Sequence, residues 1–270
     1  MQKKEGVCKL CGERKPLTFE HVPPESAFNS WTVKRFSPEI TLQMIGSDDR
    51  LPWDFEGFKG ELYQRGNGDY YLCADCNNKT GSWYISEYVK LSKYFHEILV
   101  SEKPKPQSRL YFEISELYPL RILKAIMVLY CDINKGCMGD TSLRNFLLDK
   151  ESTAFDTSKY SLYMYMVSPA MRRINGIAAM CVSNIGVVIL SEIGSYPIGT
   201  ILYINKPSNY EPAGLSINEF AKCGYYDKCK VEFYGIPYLE INSLLPTDFR
   251  SKDELLWCIK MNRDQTQENK

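Results

Sequence analysis

Two closely spaced cysteine pairs, a long stretch of helical periodicity and a late succession of β-branched and aromatic runs predict an α+β chain. They divide the 270 residues into an N-terminal cysteine-bearing ββα unit over 1–100 and an α+β domain with an antiparallel sheet over 109–262. A chain of this length can bury one large core or two modest ones.

The first unit opens on a turn from Val7 to Gly12 that carries Cys8 and Cys11. A short strand from Pro16 to His21 follows and is stopped by Pro23 and Pro24. Residues 25–68 scatter Trp31, Phe36, Trp53, Phe55 and Phe58 among Ser, Asn, Asp, Gly and Pro without a clear period. This predicts an irregular loop packed by its own side chains. Asp69 to Leu72 reads as a strand entering Cys73 and Cys76. Beyond Asn77, residues Trp83, Tyr84, Tyr88, Leu91, Phe95, Ile98 and Leu99 recur at helical spacing to about Val100.

The polar, proline-bearing stretch Ser101–Ser108 is the best linker in the chain. After it, Pro119–Asp132 predicts a buried helix with proline in its first turn, and Ser142–Leu148 a shorter one. Strands are expected at Tyr160–Val167, Ile174–Val182, Ile185–Leu190, Thr200–Ile204 and Lys230–Tyr234, separated by Gly, Pro, Asn and Ser. This second unit is expected to serve assembly or sensing. The last eight residues are polar and expected to fray.

Composition bounds the function. Lys plus Arg and Asp plus Glu each number 33, and residues 1–100 hold 13 basic and 14 acidic side chains. So balanced a chain is not built to coat nucleic acid non-specifically, because such binding rests on neutralising phosphates. A local patch from Lys34, Arg35, Lys59, Arg65 and Lys79 stays open. Charge interrupts the apolar runs before a membrane-spanning length, and no signal peptide is visible at the start, so a cytoplasmic protein with no membrane partner is expected.

In a reducing compartment, the four of the ten cysteines that fall in Cys-x2-Cys pairs read as metal ligands rather than disulfides. Cys8, Cys11, Cys73 and Cys76 supply four thiolates, the closed tetrahedral set of a structural Zn2+. Cys131 and Cys258 sit in apolar contexts that suit core thiols. A second site from Cys131, Cys137, Cys223 and Cys229 is conceivable but lacks the spacing. A thiol-redox protein is disfavoured because no thioredoxin-like βαβ pattern surrounds either pair.

The order Cys8, Cys11, Glu20-His21, Pro23, Leu72, Cys73, Cys76, Asn77 resembles the HNH (ββα-metal, His-Me finger) nucleases over roughly residues 7–85. The resemblance implies that His21 is a general base, that Glu20 and Asn77 hold a catalytic divalent cation (Mg2+ or Mn2+), and that Asn67 orients the base. Asn78 competes with Asn77 for the ligand role. Here Glu stands where the family more often has Asp, and Asn where it often has His. The chemistry is sound: an imidazole of pKa about 6.5 can accept a proton near neutrality, and a hard cation stabilises phosphate charge. The thin ligand set favours RNA slightly over DNA, because a 2′-hydroxyl can serve as internal nucleophile.

The outline also resembles the ring-activated zinc-finger RNases of antiphage defence, which implies a gated homo-oligomeric effector and a phage-protein trigger. The alternative is a non-catalytic zinc-finger binding or scaffold protein, in which His21 merely hydrogen-bonds and Glu20 is surface. His96 reads as a structural or surface histidine. Trp31, Trp53, Trp83, Tyr70 and Tyr71 either stack bases or pack the core.

Overall fold

A computed structural model describes residues 4–45 and 50–268. The chain folds as α+β. Strands β1 (Lys4–Val7) and β2 (Arg14–His21) form a hairpin, followed by a small excursion of β3 (Val33–Arg35), α1 (Pro38–Ile45) and β4 (Glu61–Tyr63). Strand β5 (Gly68–Cys73) then runs into α2 (Ala74–Thr80), a π-turn (Gly81–Ile85) and α3 (Ser86–Glu102). The later part is β6 (Arg109–Leu117), α4 (Pro119–Ile133), α5 (Thr141–Leu148), β7 (Tyr160–Val167), β8 (Arg173–Val182), β9 (Gly186–Ser195), β10 (Ile198–Ile204), β11 (Leu215–Ser216), a 3₁₀ turn (Asn218–Lys222), β12 (Cys229–Leu239) and α6 (Lys252–Glu268).

Antiparallel β1-β2-β5 with α2 makes the expected ββα unit. Its β2–β5 ladder has one irregularity: Thr18 pairs with Leu72 but Phe19 with Tyr70, so Tyr71 is an extra residue on β5. The loop expected over 25–68 holds a two-stranded β3-β4 ribbon and α1. These elements are too short for side-chain periodicity to announce them. The helix expected to begin near Asn77 begins at Ala74, directly after Cys73, and a π-turn interrupts it at Gly81–Ile85.

The large sheet has the order β6-β12-β7-β10-β9-β8, with β11 beside β7. Its pairs are antiparallel except for a short parallel contact of β12 with β7. Alternation along β7 sends Leu162, Met164 and Met166 to one core and Tyr165 and Val167 to another on the opposite face. Helix α4 lies in the first core with nearly every residue buried, Pro119 occupying its first turn where an N–H would have no helical partner. That core is continuous from Cys8 and Leu10 through Tyr88, Leu91 and Phe95 of α3 to Phe233 of β12. The segment 103–108 thus separates the two parts in sequence while their side chains share one interior. Helix α6 carries helical backbone to residue 268, into the segment expected to fray; residues 269 and 270 lie outside the described ones. Among the described residues no helix is long and apolar enough to cross a membrane.

A buried ion pair organises the far side of the sheet. Arg173 and Glu192, diagonal neighbours on β8 and β9, are both fully enclosed, with Nη2–Oε1 at 2.8 Å and Nε–Oε2 at 2.9 Å. Tyr165 Oη and Thr247 N also donate to Glu192, while Arg173 Nη1 donates to the carbonyls of Ser243 and Asp248. Every formal charge there is matched, which burial at this depth requires.

Candidate metal centre

The sulfurs of Cys8, Cys11, Cys73 and Cys76 lie within 4.8 Å of one another. A tetrahedral Zn–S length of about 2.3 Å implies sulfur–sulfur separations near 3.8 Å, and Cys11–Cys73 is 4.0 Å. Three of the four residues are buried, and the donors are soft thiols. The set therefore fits a metal ion such as zinc, closed to substrate. Among the described residues no other Cys, His, Asp or Glu group is so placed. The second cysteine site does not assemble: Cys131 and Cys137 pair, Sγ to Sγ at 3.3 Å, without Cys223 or Cys229 beside them.

Local sequence builds each half. In the first turn Gly12 N donates to Cys8 O at 2.9 Å, and Gly12 sits at φ +79°, a left-handed conformation that favours glycine. In the second, Cys73 ends β5 and caps α2, its N–H pointing at Cys8 Sγ at 3.3 Å. A hydrogen bond from the Cys76 thiol, opposed by burial, pushes Cys8 down to about 4, and the same contact drives Cys76 upward. The first turn rests on the loop after α4, where Lys9 Nζ donates to Asn134 O at 2.9 Å.

The clamp sets β2 against α2. Asn77 Nδ2 donates to Thr18 Oγ1 at 3.3 Å, and Thr18 Oγ1 lies 2.7 Å from Glu20 Oε1 and 2.9 Å from Leu72 O. Glu20 and Asn77 thus lie on one side of β2, joined through a hydroxyl whose single proton serves one acceptor at a time. Burial pushes Glu20 up to about 7, against the lowering effect of the Thr18 hydrogen bond.

His21 is elsewhere. Successive strand residues face opposite ways, and the His21 ring meets Phe19 edge-on with centroids 5.1 Å apart. The structure therefore brings Glu20 to Asn77 and leaves His21 on the other face, at the strand's end and half-buried. Asn67 bears on that end. Its Nδ2 donates to Val22 O at 3.2 Å, its carbonyl accepts from Val22 N at 2.9 Å, and its N–H donates to Asn29 Oδ1 at 2.9 Å. It holds the backbone one residue past His21, not the imidazole. Gly66 just before it, at φ +87°, presses so close to Asn29 that a Cβ would overlap the Asn29 carbonyl.

One residue escapes the sequence reading. Asp132, buried at the end of α4, has an Oδ1 with no hydrogen-bond partner. Burial, and next the charge of Glu20, hold its carboxyl well above the usual range. The charge that it feels comes from a residue more than a hundred positions away in sequence. Among the aromatics, Trp31 is 70% exposed while Tyr84 and Tyr88 are core. Of the expected basic face, Arg35 lies over Tyr63 and meets Glu61 at 3.3 Å.

The raised Glu20 carboxyl carries a pH signature. Below its ordinary pKa of 4.5 both folded and unfolded chains are protonated and nothing is lost. As pH climbs through about 7 the folded state must hold a charge it resists, so stability present in acid disappears. Glu20→Gln is expected to raise stability by roughly 1–3 kcal/mol at pH 8 and to leave pH 4 unchanged. Thermal melts at the two pH values, without added divalent cation, check this; equal shifts at both would contradict it.

No protein-family model, no curated protein and no solved structure matches this chain.

Proposed function

We propose that the protein is a metal-dependent nuclease of the His-Me finger type, stapled by zinc and acting in the cytoplasm, with RNA slightly favoured over DNA. The observation that carries this reading is the cysteine clamp itself, which sets the Glu20-bearing end of β2 against the Asn77 helix through Thr18. Glu20 and Asn77 are the residues that would hold a catalytic Mg2+ or Mn2+, a hard cation suited to oxygen donors. Such an ion would supply charge stabilisation to the phosphate. The chain's own contribution is His21, half-buried at the strand end, accepting a proton from the attacking oxygen. Because β2 stops at His21, a phosphodiester laid across that end would have the imidazole on one side and Glu20 on the other. A gated homo-oligomeric defence effector released by a phage protein is the biological form this reading takes.

The second reading, a non-catalytic zinc-finger binding or scaffold protein, is favoured by His21 packing on Phe19 away from Glu20. One experiment separates them. Labelled RNA and DNA are incubated with the purified protein, with and without Mg2+ or Mn2+, beside His21→Ala, and toxicity on overexpression is scored for both proteins. The nuclease reading expects cleavage or toxicity that falls by about 10²–10⁴-fold in His21→Ala while metal content and melting stay unchanged. Undiminished activity in His21→Ala removes the base, and nucleic-acid binding with neither cleavage nor toxicity supports the scaffold.

A further inference from the structure

A cavity of about 650 Å³ opens between the segment 28–36, the middle of α3 and the β7–β8 connection. That size is ordinary for a site that takes a small organic molecule. Its walls are aromatic: Phe28, Trp31, Phe36, Phe55, His96 and Tyr196 all line it. Phe28 stacks on His96 at 4.5 Å, and His96 Nδ1 lies 2.7 Å from Tyr196 Oη, so one wall is a fixed platform joining α3 to the β9–β10 turn. Trp31, 70% exposed, lines the same cavity.

The polar groups are few and of one sign. Arg172 and Lys34 line the cavity, and no Asp or Glu does among the described residues. Arg172 Nη1 donates to Asn29 Oδ1 at 2.6 Å and Nη2 to Phe28 O at 2.7 Å, both neutral acceptors. Its guanidinium is fixed in place with donors to spare, and among the described residues no carboxylate pairs with it. Lys34 Nζ likewise donates to the Phe58 carbonyl at 2.8 Å. Ser168 borders the same cavity, but its hydroxyl oxygen is enclosed and turned away from the open space.

From these features we propose that the cavity binds a small planar aromatic anion. Its ring would lie between Trp31 and the Phe28–His96 platform, and its phosphate or carboxylate would meet Arg172. The flat walls select aromaticity, and the unmatched cations select negative charge. A nucleoside monophosphate and an aromatic carboxylate share this chemistry. The inference does not rest on the nuclease reading, since it concerns different residues and is read by binding alone.

The test is calorimetric titration of the full-length protein with AMP, GMP, indole-3-acetate and uncharged adenosine, with tryptophan fluorescence recorded in parallel. At least one anion is expected to bind tenfold or more tightly than adenosine. Arg172→Met should abolish that preference, and Trp31→Ala, at an exposed position that cannot disturb the core, should weaken binding by tenfold or more. Binding of AMP or GMP alone identifies the source as a nucleotide; binding of indole-3-acetate alone identifies a carboxylate. No binding of any anion at millimolar concentration overturns the proposal. So does equal binding of AMP and adenosine, or binding indifferent to Trp31→Ala.

Discussion

Cys73→Ser is expected to lose its bound metal and to melt on the order of 10 °C below the parent chain. Cys73 has a double duty: its sulfur lies 4.0 Å from that of Cys11, and its N–H, as the cap of α2, points at Cys8 Sγ. A hydroxyl is a poor partner for a soft-ligand site, so three thiolates would remain to hold the ion. The clamp is also buried in the main core beside Leu10 and Leu72, so its opening exposes apolar surface as well as a ligand. Metal analysis and a thermal melt check the result together. Retained metal with an unchanged melt would mean that Cys73 is not a ligand, and no metal in the parent chain would mean that the sulfurs are an unoccupied cluster of thiols.

The second large effect is far from the metal. Glu192→Leu is expected to cost about 3–5 kcal/mol, because it leaves the Arg173 guanidinium buried without its carboxylate. Tyr165 Oη and Thr247 N lose an acceptor in the same change. The double change Arg173→Met with Glu192→Leu should recover much of the loss, since two apolar groups need no charge matched. Chemical denaturation of the two single variants and the double one completes the cycle. A double variant no better than Glu192→Leu would show that the hydrogen bonds, not the unpaired charge, carry the cost.

What could be read from sequence follows from where each signal is stored. Helix α4 and strand β7 declared themselves because their own side chains carry the period and both are deeply buried. Strand β1 carries Lys4, Glu5 and Gly6, and only its pairing with β2 makes it a strand. Strand β6 alternates Leu110, Phe112 and Ile114, but Glu116 at φ +64° breaks the run before the helix. At the site, cysteine spacing is a linear signal and was legible. The separation of His21 from Glu20 is a matter of strand faces, and the Phe19 contact fixes it only in three dimensions. Asp132 and the Arg172–Asn29–Asn67 chain arise from tertiary approach of distant segments, for which a single sequence carries no local mark.

The interior shared across residues 103–108 has a practical meaning for anyone dissecting this molecule. Helix α3 leaves the cysteine unit with Tyr88, Leu91, Phe95 and Leu99 turned toward α4 and the sheet. A fragment severed after Glu102 would carry that oily stripe into water, where it invites clumping instead of independent folding.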